Sequence, residues 1–234
     1  AQSESSSSSS DISAYLDNAL AESALMRLGE TQALTGRQKE ATKTYENFLS
    51  RFGESQWIRN ARFGLAFSLE NNDKPSEAIR EYAKLFEDSK KVDLWTVRAQ
   101  FQTGECYFNM KKYDQAIAHF ESSMKIFQRA TSARDKRQVG ASHNRLGNAY
   151  AAKDEHGEAK RHHEKALEIF LKVFGPKHPN IARAKRDLGY AMIRNKEKKQ
   201  GLNMLIEAKD IYIATEGAQY VETLELIQNI KKFR

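Results

Sequence analysis

The chain has 234 residues, of which 40% are hydrophobic and 10% are aromatic, so it can bury a core and is not a disordered protein. Its net charge is +7, from 38 Lys and Arg residues against 31 Asp and Glu residues. The one cysteine, Cys106, excludes an internal disulfide and a cysteine-based zinc site, and no apolar run approaches the roughly 20 residues of a membrane-spanning helix.

The composition favours helices. The chain contains only three prolines, which break helices. A mean hydropathy of −0.72 with 29% charged residues is typical of an elongated helical protein with much surface per residue. The first segment, residues 1–12, is serine-rich and polar, which predicts a flexible tether outside the fold.

Five similar segments follow the tether. In each, apolar residues recur three or four apart on both sides of a polar break, which indicates two amphipathic helices. A small residue in the second helix marks the register, with spacings of 37, 38, 43 and 42, at Ala41, Ala78, Ala116, Ala159 and Gly201. Because the last of these is glycine where the others are alanine, we expect its helix to be weaker by about 1 kcal/mol.

This pattern resembles the tetratricopeptide repeat (TPR) over nearly all of residues 14–233. YENFLSRFGESQWIRNARFGLAFSLENNDKPSEAIREYAKL, residues 45–85, is similar to bacterial envelope repeats of the Tol–Pal coordinator type. KALEIFLKVFGPKHPNIARAKRDLGYA, residues 165–191, is similar to kinesin-light-chain repeats, including the connector formed by Gly175, His178 and Pro179. We expect Pro179 to begin a helix, since proline is tolerated in the first turn.

The resemblance implies an all-α fold, a right-handed superhelical solenoid of about five helix-turn-helix repeats over residues 13–233. A last amphipathic helix, residues 218–233, is predicted to cap it. The repeats are expected near residues 22–55, 59–92, 97–130, 140–175 and 182–215.

No catalytic site, metal site or cofactor is predicted. His163 stands where other repeats carry Tyr45, Tyr82 and Phe120, so we expect it to pack in the core. His162 points about 100° away from it on the same helix, and the i, i+4 spacing of zinc ligands is missing. Cys106 is expected to be a buried small hydrophobe. We therefore predict that the protein is not an enzyme.

The resemblance also implies where a ligand would bind, because in the family the first helix of each repeat lines a concave groove. Phenylalanines give this wall an apolar floor in the N-terminal half, although they could equally pack between helices. Asparagines four residues apart could clamp a peptide backbone, and arginines could pair with a carboxylate. The candidate peptide-binding residues are Phe63, Phe67, Arg98, Phe101, Asn144, Asn148, Arg183, Arg186, Tyr190 and Arg194.

The predicted function is a protein-interaction scaffold that binds an extended peptide or a helix of a partner. The basic surplus between Lys153 and Lys199, 13 Lys and Arg against 7 Asp and Glu, suggests a partner of acidic character. The alternative is a self-assembling module, a homo-oligomer built by repeat stacking. Nucleic acid is not expected, because no basic stripe with interleaved aromatics is present. The compartment stays open between the cytoplasm and, for a processed bacterial protein, the periplasm.

Overall fold

The computed structural model describes residues 4–87, 93–127 and 133–233. Within these ranges the chain forms eleven α-helices and no strand, which confirms the all-α class. The helices are α1 Glu4–Leu34, α2 Gln38–Arg51, α3 Ile58–Glu70, α4 Pro75–Phe86, α5 Leu94–Asn109, α6 Tyr113–Phe127, α7 Ala133–Ala152, α8 His156–Phe174, α9 Pro179–Arg194, α10 Lys198–Glu216 and α11 Val221–Phe233.

The chain divides into two compact units, Ala1–Cys106 and Tyr107–Arg234, here called the N-terminal and C-terminal units. In the N-terminal unit α1 packs on α2, α2 on α3 and α3 on α4. In the C-terminal unit each helix from α6 to α11 packs on the next. Consecutive helices therefore form hairpins, and each hairpin packs on its neighbour within the unit.

The five hairpin turns share one backbone feature. Each contains a residue with positive φ. Successive positive-φ residues are 37, 38, 43 and 42 positions apart, the same spacings as those of the small core residues. A positive φ ends the first helix by turning the chain back on itself, a conformation that glycine adopts most easily. Glycine fills only the first of the five positions, Gly36, Asp73, Lys111, Asp154 and Lys196.

The small residues that mark the register are buried, as the sequence predicts. Ala41, Ala78, Ala116 and Ala159 are fully buried. Gly201 is buried too, and beside the expected cost in helix propensity it has a packing role that the sequence did not predict. A Cβ at Gly201 would lie 2.6 Å from the carbonyl oxygen of Gly189, so α9 and α10 cross too closely for alanine.

Two helix starts bear on the sequence predictions. Helix α9 begins at Pro179, as expected, and the Nδ1 atom of His178 accepts a hydrogen bond from the backbone N–H of Asn180 at 3.1 Å. Helix α1 begins at Glu4, inside the segment for which the composition predicts a tether. A serine run can extend a helix that the alanine- and leucine-rich residues after it establish, because extending a helix costs less than starting one. Residues 88–92 and 128–130, at the ends of the second and third predicted repeats, lie outside the described residues.

Candidate functional site

A groove in the N-terminal unit, here called the aromatic groove, is the first candidate site. It has a volume of about 420 Å³ and is lined mainly by α1, α3 and α5, the first helices of their hairpins. Four aromatic side chains contribute to its wall. The lining residues are Glu30, Ala33, Leu34, Tyr45, Asn60, Phe63, Gly64, Phe67, Trp95 and Arg98.

Phe63 and Phe67 occupy different depths of the aromatic groove. The half-buried Phe63 ring lies 5.3 Å from the Trp95 ring, 5.5 Å from the Tyr82 ring and 6.3 Å from the Phe67 ring, measured between centroids. Phe67 is 39% exposed. Phe63 thus packs between helices and supports the groove, while Phe67 presents its ring to solvent.

The floor of the aromatic groove depends on a glycine. A Cβ at Gly64 would lie 2.4 Å from the Tyr45 ring, so only glycine lets this ring pack against α3. Tyr45 is buried, and burial together with the charge of Glu30 raises its pKa to about 12. Its hydroxyl therefore stays protonated at neutral pH.

The start of α5 positions Trp95. The Asp93 carboxylate accepts hydrogen bonds from the backbone N–H groups of Trp95 and Thr96, both at 3.0 Å, which caps the helix. Arg59 pairs with the same carboxylate at 2.8 Å and donates to the Leu85 carbonyl at 2.8 Å. Burial disfavours the charge on Asp93, but the hydrogen bonds from Thr96 and Arg59 outweigh it and lower its pKa.

Arg98 closes one side of the aromatic groove. Its guanidinium lies 5.3 Å from the centre of the Trp95 ring, a cation–π contact. A ligand in this groove would therefore meet aromatic surface with a cation beside it. Phe101, also predicted to line the wall, is half-buried and is not among the lining residues.

In the C-terminal unit the predicted ligand-binding residues Asn144 and Arg186 share one hydrogen-bonded network with His163. The Asn144 amide oxygen lies 3.0 Å from Nδ1 of His163, and its nitrogen donates to Asp187 at 3.3 Å. Nε and Nη2 of Arg186 donate to Asp187 at 3.0 and 2.9 Å. A ligand would have to compete with these bonds to reach Asn144 or Arg186. The half-buried Asn148, by contrast, has no hydrogen bond from its amide among the described residues.

Helix α11 contacts Tyr190, another predicted residue of α9. The Tyr190 hydroxyl accepts a hydrogen bond from Asn229 at 2.9 Å, and its ring meets Phe233 edge to face at 6.3 Å. A cavity of about 770 Å³ lies between the ends of α7, α9 and α11 and includes Tyr190 and the exposed Arg194. Arg183 is exposed as well.

The surroundings of Arg186 are less basic than the sequence suggests. A second cavity of about 390 Å³ holds Arg186 together with the carboxylates of Asp187, Glu222 and Glu225. Burial disfavours the charge on Arg186, but Asp187 outweighs it and raises its pKa. The guanidinium is therefore charged and already paired within the chain.

Several lining residues were missed from the sequence. Trp95 and Tyr45 belong to the aromatic groove, and Asp187 and Asn229 contact predicted residues. The repeat register contained a signal for Trp95, since it precedes the predicted Arg98 by three residues and so lies on the same helix face. Asp187 gave none, because a lone carboxylate between basic residues resembles a solvated surface charge.

The histidines form a packed pair and a separate buried residue. Nδ1 of His143 lies 3.0 Å from Nδ1 of His162, and both rings are buried. His163 is 2% exposed and packs against Gly147, as its place in the repeat predicts. In the part of the chain that the structure describes, no three His, Cys, Asp or Glu side chains cluster as metal ligands.

Cys106 is a buried residue, as expected. Burial and the nearby carboxylates Glu70 and Glu105 raise the pKa of its thiol to about 12. The thiolate, which is the nucleophile, is therefore not populated at neutral pH. None of the helices, as far as the structure describes them, combines the length and apolar character needed to cross a bilayer.

The chain repeats a helix hairpin at regular spacings, and in the N-terminal unit the first helices of the hairpins line a groove. This arrangement defines a helical-repeat protein. Tetratricopeptide-repeat family models match residues 138–214 and residues 23–55 and 98–129, together more than half of the chain. The chain belongs to the tetratricopeptide-repeat family, whose members generally serve as non-catalytic protein-interaction scaffolds.

Solved structures share this fold at low sequence identity. BtubC (BKLC) from P. vanneervenii is 17% identical with a TM-score of 0.75, covering 90% of this chain and 88% of that one. A kinesin-light-chain structure from Podosopora anserina, whose own TPR-like repeats are nearly identical, is 18% identical to this chain with a TM-score of 0.71. The match covers 82% of this chain and 95% of that one. MamA from Desulfovibrio magneticus RS-1 is 13% identical with a TM-score of 0.65, covering 83% and 97%. No curated protein matches the chain by sequence.

Proposed function

We propose that the chain is a non-enzymatic scaffold that binds an extended peptide or a helix of a partner protein in a groove on the first helices of its repeats. The observation that carries this proposal is the aromatic groove. Phe67 is 39% exposed there beside Trp95 and Arg98, whereas an aromatic ring without a function is more stable when buried. Aromatic side chains in concave sites are the usual anchors of peptide ligands.

The ligand that fits this groove has an apolar or aromatic anchor. The anchor would lie against Phe67 and Trp95, and a carboxylate on the ligand would lie near Arg98. An acidic segment that binds the C-terminal unit by itself would pair with Arg183 and Arg194, which are exposed, in preference to Arg186, which Asp187 already holds. An acidic partner thus remains part of the proposal. The likeness of residues 45–85 to bacterial envelope repeats remains a prediction.

A substitution at Phe67 tests the groove. Peptides selected from a random display library on the full chain should bind the Phe67→Ala variant at least tenfold more weakly, about 1.4 kcal/mol, because the exposed ring is lost. Leu171→Ala is the matched control, since Leu171 is 38% exposed on α8 of the other unit. Fluorescence anisotropy of the labelled peptides measures both affinities.

Tryptophan emission gives a second readout. The chain has two tryptophans, Trp57 and Trp95, and Trp95 lines the aromatic groove. In a Trp57→Phe background, binding of a selected peptide should change the emission of Trp95. Selected peptides that bind wild type and Phe67→Ala equally, and leave this emission unchanged, would place the binding surface elsewhere and refute the proposal.

A further inference from the structure

Helix α1 exposes a face that is buried in every other hairpin. Leu28 is 45% exposed. In the repeat register its equivalents are Leu65, Thr103, Leu146 and Leu188, and none of these is more than 5% exposed. Leu28 is therefore an apolar residue at a position that is buried in the other repeats, but its own side chain is only partly covered.

The neighbouring position on α1 repeats this difference. Ala24 is exposed, whereas its equivalents Ala61, Ala99, Ser142 and Ala184 are at most 1% exposed. In α3 and α9 this face meets the preceding hairpin: α3 contacts α2 and α1, and α9 contacts α8 and α7. Among the described residues, no helix covers the corresponding face of α1.

The residues of the exposed face follow the same order, leucine, alanine, leucine, in both directions along the helix. Leu20, Ala24 and Leu28 are spaced by four residues, and Leu20 is 69% exposed. Residues at this spacing form one ridge on a helix surface. A pattern that is symmetric about Ala24 is complementary to a copy of itself running in the opposite direction, as a two-fold dimer interface requires.

We propose that this face of α1 binds the same face of a second copy of the chain, forming an antiparallel homodimer that crosses at Ala24. The small side chain of Ala24 lets the two helices approach closely, and Leu20 of each copy packs beside Leu28 of the other. Ridges of residues four apart interdigitate when two helices cross at about −50°, so the contact is confined to these two turns.

Charge opposes this pairing only weakly. Between residues 19 and 34 of α1 the charged residues are Glu22, Arg27 and Glu30, but Glu22 accepts a hydrogen bond from Ser55 and Glu30 lines the aromatic groove, so Arg27 is the charge beside this face. Repulsion between two exposed arginines is small, because water and salt screen charges at the surface. The aromatic groove lies on a different set of residues, so the dimer and peptide binding can be tested separately.

A cysteine at the crossing point tests the geometry. In an antiparallel dimer Ala24→Cys places two thiols against each other, so mild oxidation should convert most of the protein into a disulfide-linked dimer on a non-reducing gel. The native Cys106 is buried and does not interfere. Leu34→Cys is the matched control: it is 88% exposed, but ten residues from the crossing, so its two copies would lie roughly 30 Å apart.

Sedimentation velocity tests the contact itself. We expect wild type to shift with concentration from the monomer mass of 26.7 kDa toward twice that value, and Leu28→Glu to remain monomeric with an unchanged circular dichroism spectrum. Leu224→Glu, at a 40% exposed position of α11, should dimerise as wild type does.

Three outcomes would overturn the homodimer. A wild-type chain that stays monomeric at all concentrations would leave the face to a helix of another protein. Equal cross-linking at positions 24 and 34 would exclude the antiparallel arrangement. Dissociation by Leu224→Glu as well as by Leu28→Glu would indicate a head-to-tail contact between α1 and α11.

Discussion

At the scale of single residues, the paired histidines show how burial sets a protonation state. The His143 and His162 rings share a hydrogen bond between their Nδ1 atoms, so one ring donates and the other accepts. Burial, together with the nearby cations Arg161 and Lys165, lowers the pKa of each histidine to about 4. Glu158 opposes this for His162 without reversing it.

The pair makes stability depend on pH. The unfolded chain takes up protons on these rings near pH 6.5, whereas the folded chain does not until about pH 4. The free energy of unfolding should therefore fall as the pH decreases from 6.5 to 4, by up to about 1.4 kcal/mol per pH unit for each histidine. Urea unfolding at several pH values measures this slope.

The variant His162→Gln should reduce the pH slope of the unfolding free energy. Glutamine can still hydrogen-bond to His143 but does not titrate, so the contribution of His162 disappears. A variant whose slope between pH 6.5 and 4 equals that of wild type would contradict the assignment of this pH dependence to the histidine pair.

At the scale of helices, the crossing of α9 and α10 is set by two glycines. A Cβ at Gly189 would lie 2.9 Å from the carbonyl oxygen of Gly201, and a Cβ at Gly201 would lie 2.6 Å from that of Gly189. Backbone atoms cannot move aside as a flexible side chain can. Both positions therefore require glycine, and they bring Ile193 and Leu205 into contact with the opposite helix.

Alanine at this crossing should destabilise the protein. Gly201→Ala gains about 1 kcal/mol of helix propensity, but forcing the helices apart costs more, typically ~1–3 kcal/mol for an overpacked core. We expect a lower melting temperature in a thermal unfolding scan.

Gly157→Ala is the control for this substitution. Gly157 lies in the first turn of α8, and its added Cβ would meet only Asn195, at 3.8 Å, so it should leave stability unchanged or raise it. If Gly201→Ala were as stable as Gly157→Ala, the close crossing of α9 and α10 would be refuted.

At the scale of the whole molecule, stability should be local. Within each unit the substantial contacts join a helix to its neighbour or to the next helix but one. Repeat proteins of this kind are stabilised by each repeat and by its interfaces with adjacent repeats. A defect at one hairpin is therefore felt mainly by the hairpins beside it.

Amide hydrogen exchange can measure this locality. Gly201→Ala should speed exchange most in α9, α10 and α11, less in α7 and α8, and leave α1 to α3 at wild-type rates, because no interface of the N-terminal helices is changed. Leu65→Ala, which opens a cavity in α3, should produce the converse pattern. Uniformly faster exchange along the whole chain in both variants would show that it unfolds as one unit.

The periodicity of the sequence determined most of the fold. The register of small residues predicted the hairpins, the buried alanines and the packing of His163, because these depend on spacing along one helix. Two pairs of residues that contact each other across a hairpin occupy equivalent positions in the second and fourth repeats. Arg62 and Glu81, 2.9 Å apart, lie 19 residues apart in sequence, as do His143 and His162. The histidine pair could have been found by this comparison.

Other features were decided only by the tertiary structure. The close crossing that Gly201 allows depends on its distance to α9, which no pattern within α10 contains. The pairing of Arg186 with Asp187 and the aromatic groove likewise depend on how neighbouring helices meet. The sequence shows which face of each helix is apolar, but the angle and separation of the helices decide which side chains are covered and which, as on α1, stay exposed.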